Sequence, residues 1–124
     1  MAVGIERIGQ VAINVHDVVR AIAFYRDVLG MRFLFEVPGM AFFDCGGVRL
    51  MLGLPSAPEF DHPSSILYYE VPDILAAAAA IESHGVTFES KPHLVAKLPD
   101  HDLWIGFFRD PDRNLLALMS EVTR

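Results

Sequence analysis

The 124-residue chain has a single cysteine, Cys45, which rules out an internal disulfide and a cysteine metal cluster. Positive charge is scarce as well. Ten Lys and Arg face sixteen Asp and Glu, for a formal net charge of −6, and the basic residues are scattered. A nucleic-acid backbone needs a basic face, so nucleic acid is not an expected partner. No arm or helix collects basic residues for an anionic membrane. The longest apolar run, Ile74 to Ile81, is mostly Ala and far short of the roughly 18 residues that span a bilayer. The first residues carry no basic stretch followed by an apolar core, so no signal peptide is expected. These absences lead to the expectation of a cytoplasmic protein.

What is present suits a folded chain. Hydrophobic residues make up 52% and charged residues 21%, as in globular proteins rather than disordered ones. One domain over 1–124 with a real core is expected at this length.

The chain also repeats itself. Ile8 to Val15 alternates like a strand, Asp17 follows, and an amphipathic stretch runs to Gly30. Ile66 to Val71 opens the second half in the same way, followed by Asp73 and a helical stretch to Gly85. Val15 and Val71, Asp17 and Asp73, Gly30 and Gly85, and Phe33 and Phe88 lie 55 or 56 residues apart. Each mark has a task. Asp17 and Asp73 suit helix N-caps, and Gly30 and Gly85 suit helix ends. Val18, Ile22, Tyr25 and Leu29 form a helical stripe, and the second helix holds five consecutive Ala residues.

Strand-like runs come next. The first half offers Arg32 to Val37, Met40 to Cys45 and Val48 to Leu54. The second offers Val86 to Glu89, a strand within His93 to Leu98, Leu103 to Arg109 and Leu115 to Val122. Pro38-Gly39, Gly46-Gly47 and Asp110 to Asn114 read as turns. The reading is an α+β chain of two strand–helix–strand–strand–strand modules, about 5–54 and 66–122, with a proline-bearing linker at 55–65.

Three segments carry a family resemblance: Gln10 to Asp17, Phe24 to Met31, and Gly106 to Leu118 with its Asp-Pro-Asp-Arg-Asn run. They resemble the vicinal oxygen chelate superfamily of glyoxalases, fosfomycin- and bleomycin-resistance proteins and extradiol dioxygenases. The resemblance covers essentially the whole chain. It implies two βαβββ modules forming a cup-shaped mixed sheet with helices on the outer face, and a homodimer.

It also implies where a divalent metal would be held. In catalytic members the ligands come from four equivalent corners. Here those corners are Gln10, Met51, Ile66 and Ala117. Only Gln10 matches a ligand type of the family. A metal needs anionic or imidazole donors in place of the water it sheds, so the usual centre is expected to be lost and no cofactor is predicted. No two of the five histidines show one-strand or one-helix ligand spacing; His101, beside Asp102 near a strand start, is the one to examine first.

Strand alternation then assigns the cup-facing set. It comprises Gln10, Asn14, Phe42, Arg49, Met51, Ile66, Tyr68, Glu70, Trp104, Phe108, Ala117 and Met119, with Asp44 and Gly106 sharing those faces. Apolar walls with a few polar groups suit a small molecule. Tyr, Trp and Met at such positions also simply fill cores or dimer seams. Cys45 reads as a small buried residue, because no neighbouring base activates it.

The first functional reading is a bleomycin-resistance-like protein that binds a small apolar or aromatic molecule without chemistry. The second is an enzyme, glyoxalase-like (as lactoylglutathione lyase) or dioxygenase-type, with a rearranged metal site, or a metal-free one with Glu70 or a His as general base. The third is a dimeric interaction domain with a filled cup.

Overall fold

The computed structural model describes residues 2–123. The chain divides into two compact units, one running to Ser64 and the other starting at Ser65. In the first, β1 (Gln10–Asn14) leads to α1 (Val18–Ala23), which continues as a π-helical turn through Phe24–Val28. Three strands follow: β2 (Arg32–Val37), β3 (Met40–Cys45) and β4 (Val48–Gly53). In the second unit, β5 (Leu67–Glu70) leads to α2 (Ile74–Glu82), then β6 (Ser90–Lys97), β7 (His101–Arg109) and β8 (Leu115–Thr123). Each unit holds one four-stranded mixed sheet, ordered β1-β4-β3-β2 and β5-β8-β7-β6. In each, the first strand pairs in parallel with the last and the other pairs are antiparallel.

The repeated sequence marks perform as their chemistry requires. The Asp17 side chain accepts from the Arg20 N–H and the Asp73 side chain from the Ala76 N–H, so both helices begin at a carboxylate cap. Gly30 and Gly85 close the helical segments at positive φ. The stripe on the first helical segment buries Ile22 and Tyr25, and on α2 Ile74, Ala78 and Ile81 go inward. α1 lies against β3 and β4, and α2 against β6, β7 and β8. The Phe33–Phe88 repeat persists in the two cores. Phe33 packs edge-on to Phe43 with ring centres 5.4 Å apart, and Phe88 packs on Phe108 at 5.1 Å.

Two strand expectations need correction. Val86 to Glu89 is not a strand. Ser90 already pairs with Phe107, and the turn that begins at Asp110 leaves no partner strand opposite residues 86 and 87. Phe88 turns into the core instead, and pairing begins when the Glu89 N–H donates to the Phe107 carbonyl. The strand sought within His93 to Leu98 starts earlier, at Ser90, and bulges past Pro92. Proline has no N–H to give a ladder, so an edge strand with a bulge accommodates it. Gly106 makes room for it: a Cβ there would lie 3.0 Å from the Pro92 nitrogen.

Candidate functional site

In the first unit the face away from α1 is built from four strands in register. Gln10 pairs with Arg49 and Ala12 with Met51; Met51 pairs with Phe42 and Arg49 with Asp44. These ladders put Gln10, Asn14, Phe42, Arg49 and Met51 on one face, as alternation predicted. The side chains also interact. Arg49 Nε donates to Gln10 Oε1 at 2.8 Å, and Gln10 Nε2 lies 3.8 Å from Met51 Sδ. The Arg49 guanidinium is 5.5 Å from the centre of the Phe42 ring, a cation–π distance.

Phe35 completes this face, and alternation alone misses it. Phe33 points into the core, so Phe35 should do the same. A bulge at Leu34 shifts the register, pairs Phe35 with Phe42, and stacks the two rings at 4.7 Å. Asn14 also reaches the linker. Its amide N–H groups donate to the carbonyls of Phe60 and His62, and His16 Nε2 sits 2.9 Å from Asp61. These contacts tie the linker to β1. Beside them is a cavity of about 270 Å³ lined by Asn14, Met40, Met51, Leu54 and Phe60, among others. A second, wider one of about 470 Å³ is lined by Arg7, Gly9, Gln10, Gly47 and Arg49.

In the second unit, Tyr68 pairs with Ala117 and Glu70 with Met119. Ala117 in turn pairs with Phe107, and Met119 with Ile105. Tyr68, Glu70, Ala117 and Met119 therefore share a face, and Ile66 precedes β5 with the same parity. Trp104 and Phe108 do not belong to it. They pair with Ser120 and Leu116, on the face that packs against α2, and so does Gly106, opposite Leu118. Phe108 is fully buried. The residues that do occupy the Tyr68 face are Ile105 and Phe107, with Phe107 edge-on to Tyr68 at 5.9 Å. The signal for them was available: a five-residue turn places Arg109 opposite Leu115, and counting back by two from there reaches Phe107 and Ile105.

The metal corners divide between the units. Gln10 and Met51 touch in the first. In the second, Ile66 is exposed and Ala117 is fully buried beside Tyr68 and Phe107. The donor set is one amide, one thioether and two hydrocarbons, and the amide oxygen already accepts from a guanidinium. That chemistry does not fit a hard or borderline divalent ion. Among the described residues no three His, Cys, Asp or Glu side chains converge to hold a metal. His101 pairs with Asp100 at 2.7 Å and lies 3.6 Å from Glu121. The His101 hydrogen bond holds the Asp100 carboxyl below its ordinary range. Glu70 is exposed at the end of β5. Burial first, and the Asp44 charge second, push the Cys45 thiol up, so its thiolate is disfavoured. Among the described residues no helix is long and apolar enough to cross a membrane.

The family model described as Glyoxalase/Bleomycin resistance protein/Dioxygenase superfamily matches residues 7–118. No curated protein matches the chain. Solved structures do. A member of the glyoxalase/bleomycin resistance protein/dioxygenase superfamily from Sphaerobacter thermophilus is 26% identical, with a TM-score of 0.79 over 94% of this chain and 98% of that one. An integron cassette protein from the mobile metagenome of V. cholerae is 24% identical, with a TM-score of 0.78 over 97% and 98%. Lactoylglutathione lyase from Agrobacterium tumefaciens is 22% identical, with a TM-score of 0.76 over 94% and 95%. Likeness at this identity establishes the fold and leaves the reaction open.

Proposed function

The chain belongs to the glyoxalase/bleomycin resistance protein/dioxygenase superfamily, and from that premise we propose that it binds a small apolar or aromatic molecule without the divalent metal of the catalytic members. One observation carries the reading: Gln10 Oε1, at the sole corner with a family ligand type, accepts from Arg49 Nε at 2.8 Å. A metal at this corner would have to compete with a fixed cation for the same oxygen, and the neighbouring corner offers it only the Met51 thioether. The stacked Phe35–Phe42 pair and Met51 offer an apolar surface beside that polar pair. A lyase or dioxygenase with a rearranged site would need donors from elsewhere.

Elemental analysis of the purified chain tests the reading. Zinc, nickel, iron and manganese are expected at substoichiometric levels, and added zinc or nickel should leave the thermal midpoint unchanged. Stoichiometric metal that disappears in Gln10→Ala would overturn the proposal.

The partner we propose for assembly is a second copy of the chain, in the cytoplasm. The family resemblance supports this, as do Leu94 and Val95, both exposed on edge strand β6. Light scattering is expected to give twice the 13.8 kDa chain mass, and a monomer at micromolar concentration would refute it.

A further inference from the structure

We infer that the ligand of the first unit is an organic carboxylate, its anionic group anchored by Arg49 and Arg7 and its apolar body lying along Phe42 and Phe35. The inference rests on the small-molecule reading above and names the chemical class it would take.

The argument starts from charge. In a chain of net charge −6, positive groups are expected to find carboxylates. Arg26, Arg109 and Arg113 do, on Asp27 and Glu89. Arg7 and Arg49 line the same cavity of about 470 Å³, and among the described residues neither forms an ion pair. Among the described residues Arg7 donates only to the Gly47 carbonyl, at 3.3 Å. Among the described residues Arg49 donates only through its Nε, toward Gln10. Its two terminal amino groups remain as an end-on fork, the geometry that takes a carboxylate with two parallel hydrogen bonds.

Position and orientation come from the neighbours. Gln10 holds one edge of the guanidinium, and the Phe42 ring lies 5.5 Å from its centre. The fork is thus held from two sides, which lowers the entropy lost when it binds an anion. Phe35 extends the aromatic surface from Phe42. Asp44 pairs across the ladder with Arg49 on the same face. Arg32 pairs with the same Asp44 from β2, so Arg7, Arg32 and Arg49 against this one carboxylate leave the face net positive, which favours an anion.

The test uses the full chain and two probes of the same shape, 2-naphthoate and its neutral isostere 2-naphthamide, titrated by calorimetry at low salt and at 0.15 M salt. Naphthoate is expected to bind at least about tenfold more tightly than the amide, since charge-assisted bonds exceed neutral ones. The preference should shrink as salt rises. Arg49→Gln should reduce naphthoate to the level of the amide. Arg49→Lys, which keeps the charge but loses the fork, should retain only part of the preference. Circular dichroism and urea midpoints establish that each variant is folded. Equal binding of the two probes, or a preference unchanged in both Arg49 variants, overturns the anion assignment and leaves small-molecule binding standing. Failure of both probes to bind overturns the anion assignment and counts against that reading as well. Binding of naphthoate that requires added metal overturns the metal-free reading.

Discussion

Phe108→Ala is expected to lower the unfolding free energy by about 3–5 kcal/mol, the range for truncating a buried aromatic ring. Phe108 is fully buried, packs on Phe88 at 5.1 Å, and lies opposite Leu116 in the β7–β8 ladder. Its removal opens a cavity between the sheet and the Phe88 ring. Urea denaturation measures the loss. Phe42→Ala provides the contrast. Phe42 is only half-buried, on the face away from α1, where it meets Phe35 and Arg49. Its truncation should cost less stability and more probe binding. An unchanged urea midpoint in Phe108→Ala would show that Phe108 does not hold the core of the second unit.

Asp110→Ala is expected to cost about 3 kcal/mol, from the loss of hydrogen bonds to a charged acceptor and the donors left behind. Asp110 is buried and opens the turn between β7 and β8. One of its carboxylate oxygens accepts from the backbone N–H groups of Asp112 and Asn114, and the other from the Asn114 side chain, all at 2.9 Å. The turn then closes with the Asp110 N–H on the Asn114 carbonyl. Arg113 occupies it at φ +67, a conformation that costs a side-chain-bearing residue free energy. The carboxylate offsets that cost. Asp110→Asn keeps the shape and one acceptor oxygen, so it should lose roughly half as much. Equal stability of Asp110→Ala and the parent chain in thermal and urea unfolding would show that the turn holds without the carboxylate. The Asp-Pro-Asp-Arg-Asn run that carries the family resemblance is, in this chain, a turn-building device.

Much of the site was legible because a strand has a period of two. Gln10, Phe42, Arg49 and Met51 emerged on one face from alternation alone, and the ladders agree. The same reasoning failed in two places for identifiable reasons. Phe35 was missed because one extra residue at Leu34 inverts the alternation, and nothing in the Arg32 to Val37 sequence marks the bulge. Trp104, Gly106 and Phe108 were placed on the wrong face because the long, apolar β7 has no polar rhythm to set its phase. The phase is set across the Asp110 turn, by its length.

Local chemistry was therefore enough for what depends on near neighbours. The two Asp caps, the glycine helix ends and the strand–helix–strand repeat all follow from residue types and short spacings. Contacts across tens of residues were decided only by the fold. Gln10 and Arg49 are 39 residues apart, yet a parallel ladder brings an amide oxygen to a guanidinium nitrogen. Arg7 joins Arg49 because Gly9 accepts from the Arg49 N–H and so brings the segment before β1 alongside β4. No periodicity encodes such meetings. They come from the register between strands, which the whole set of buried side chains selects together.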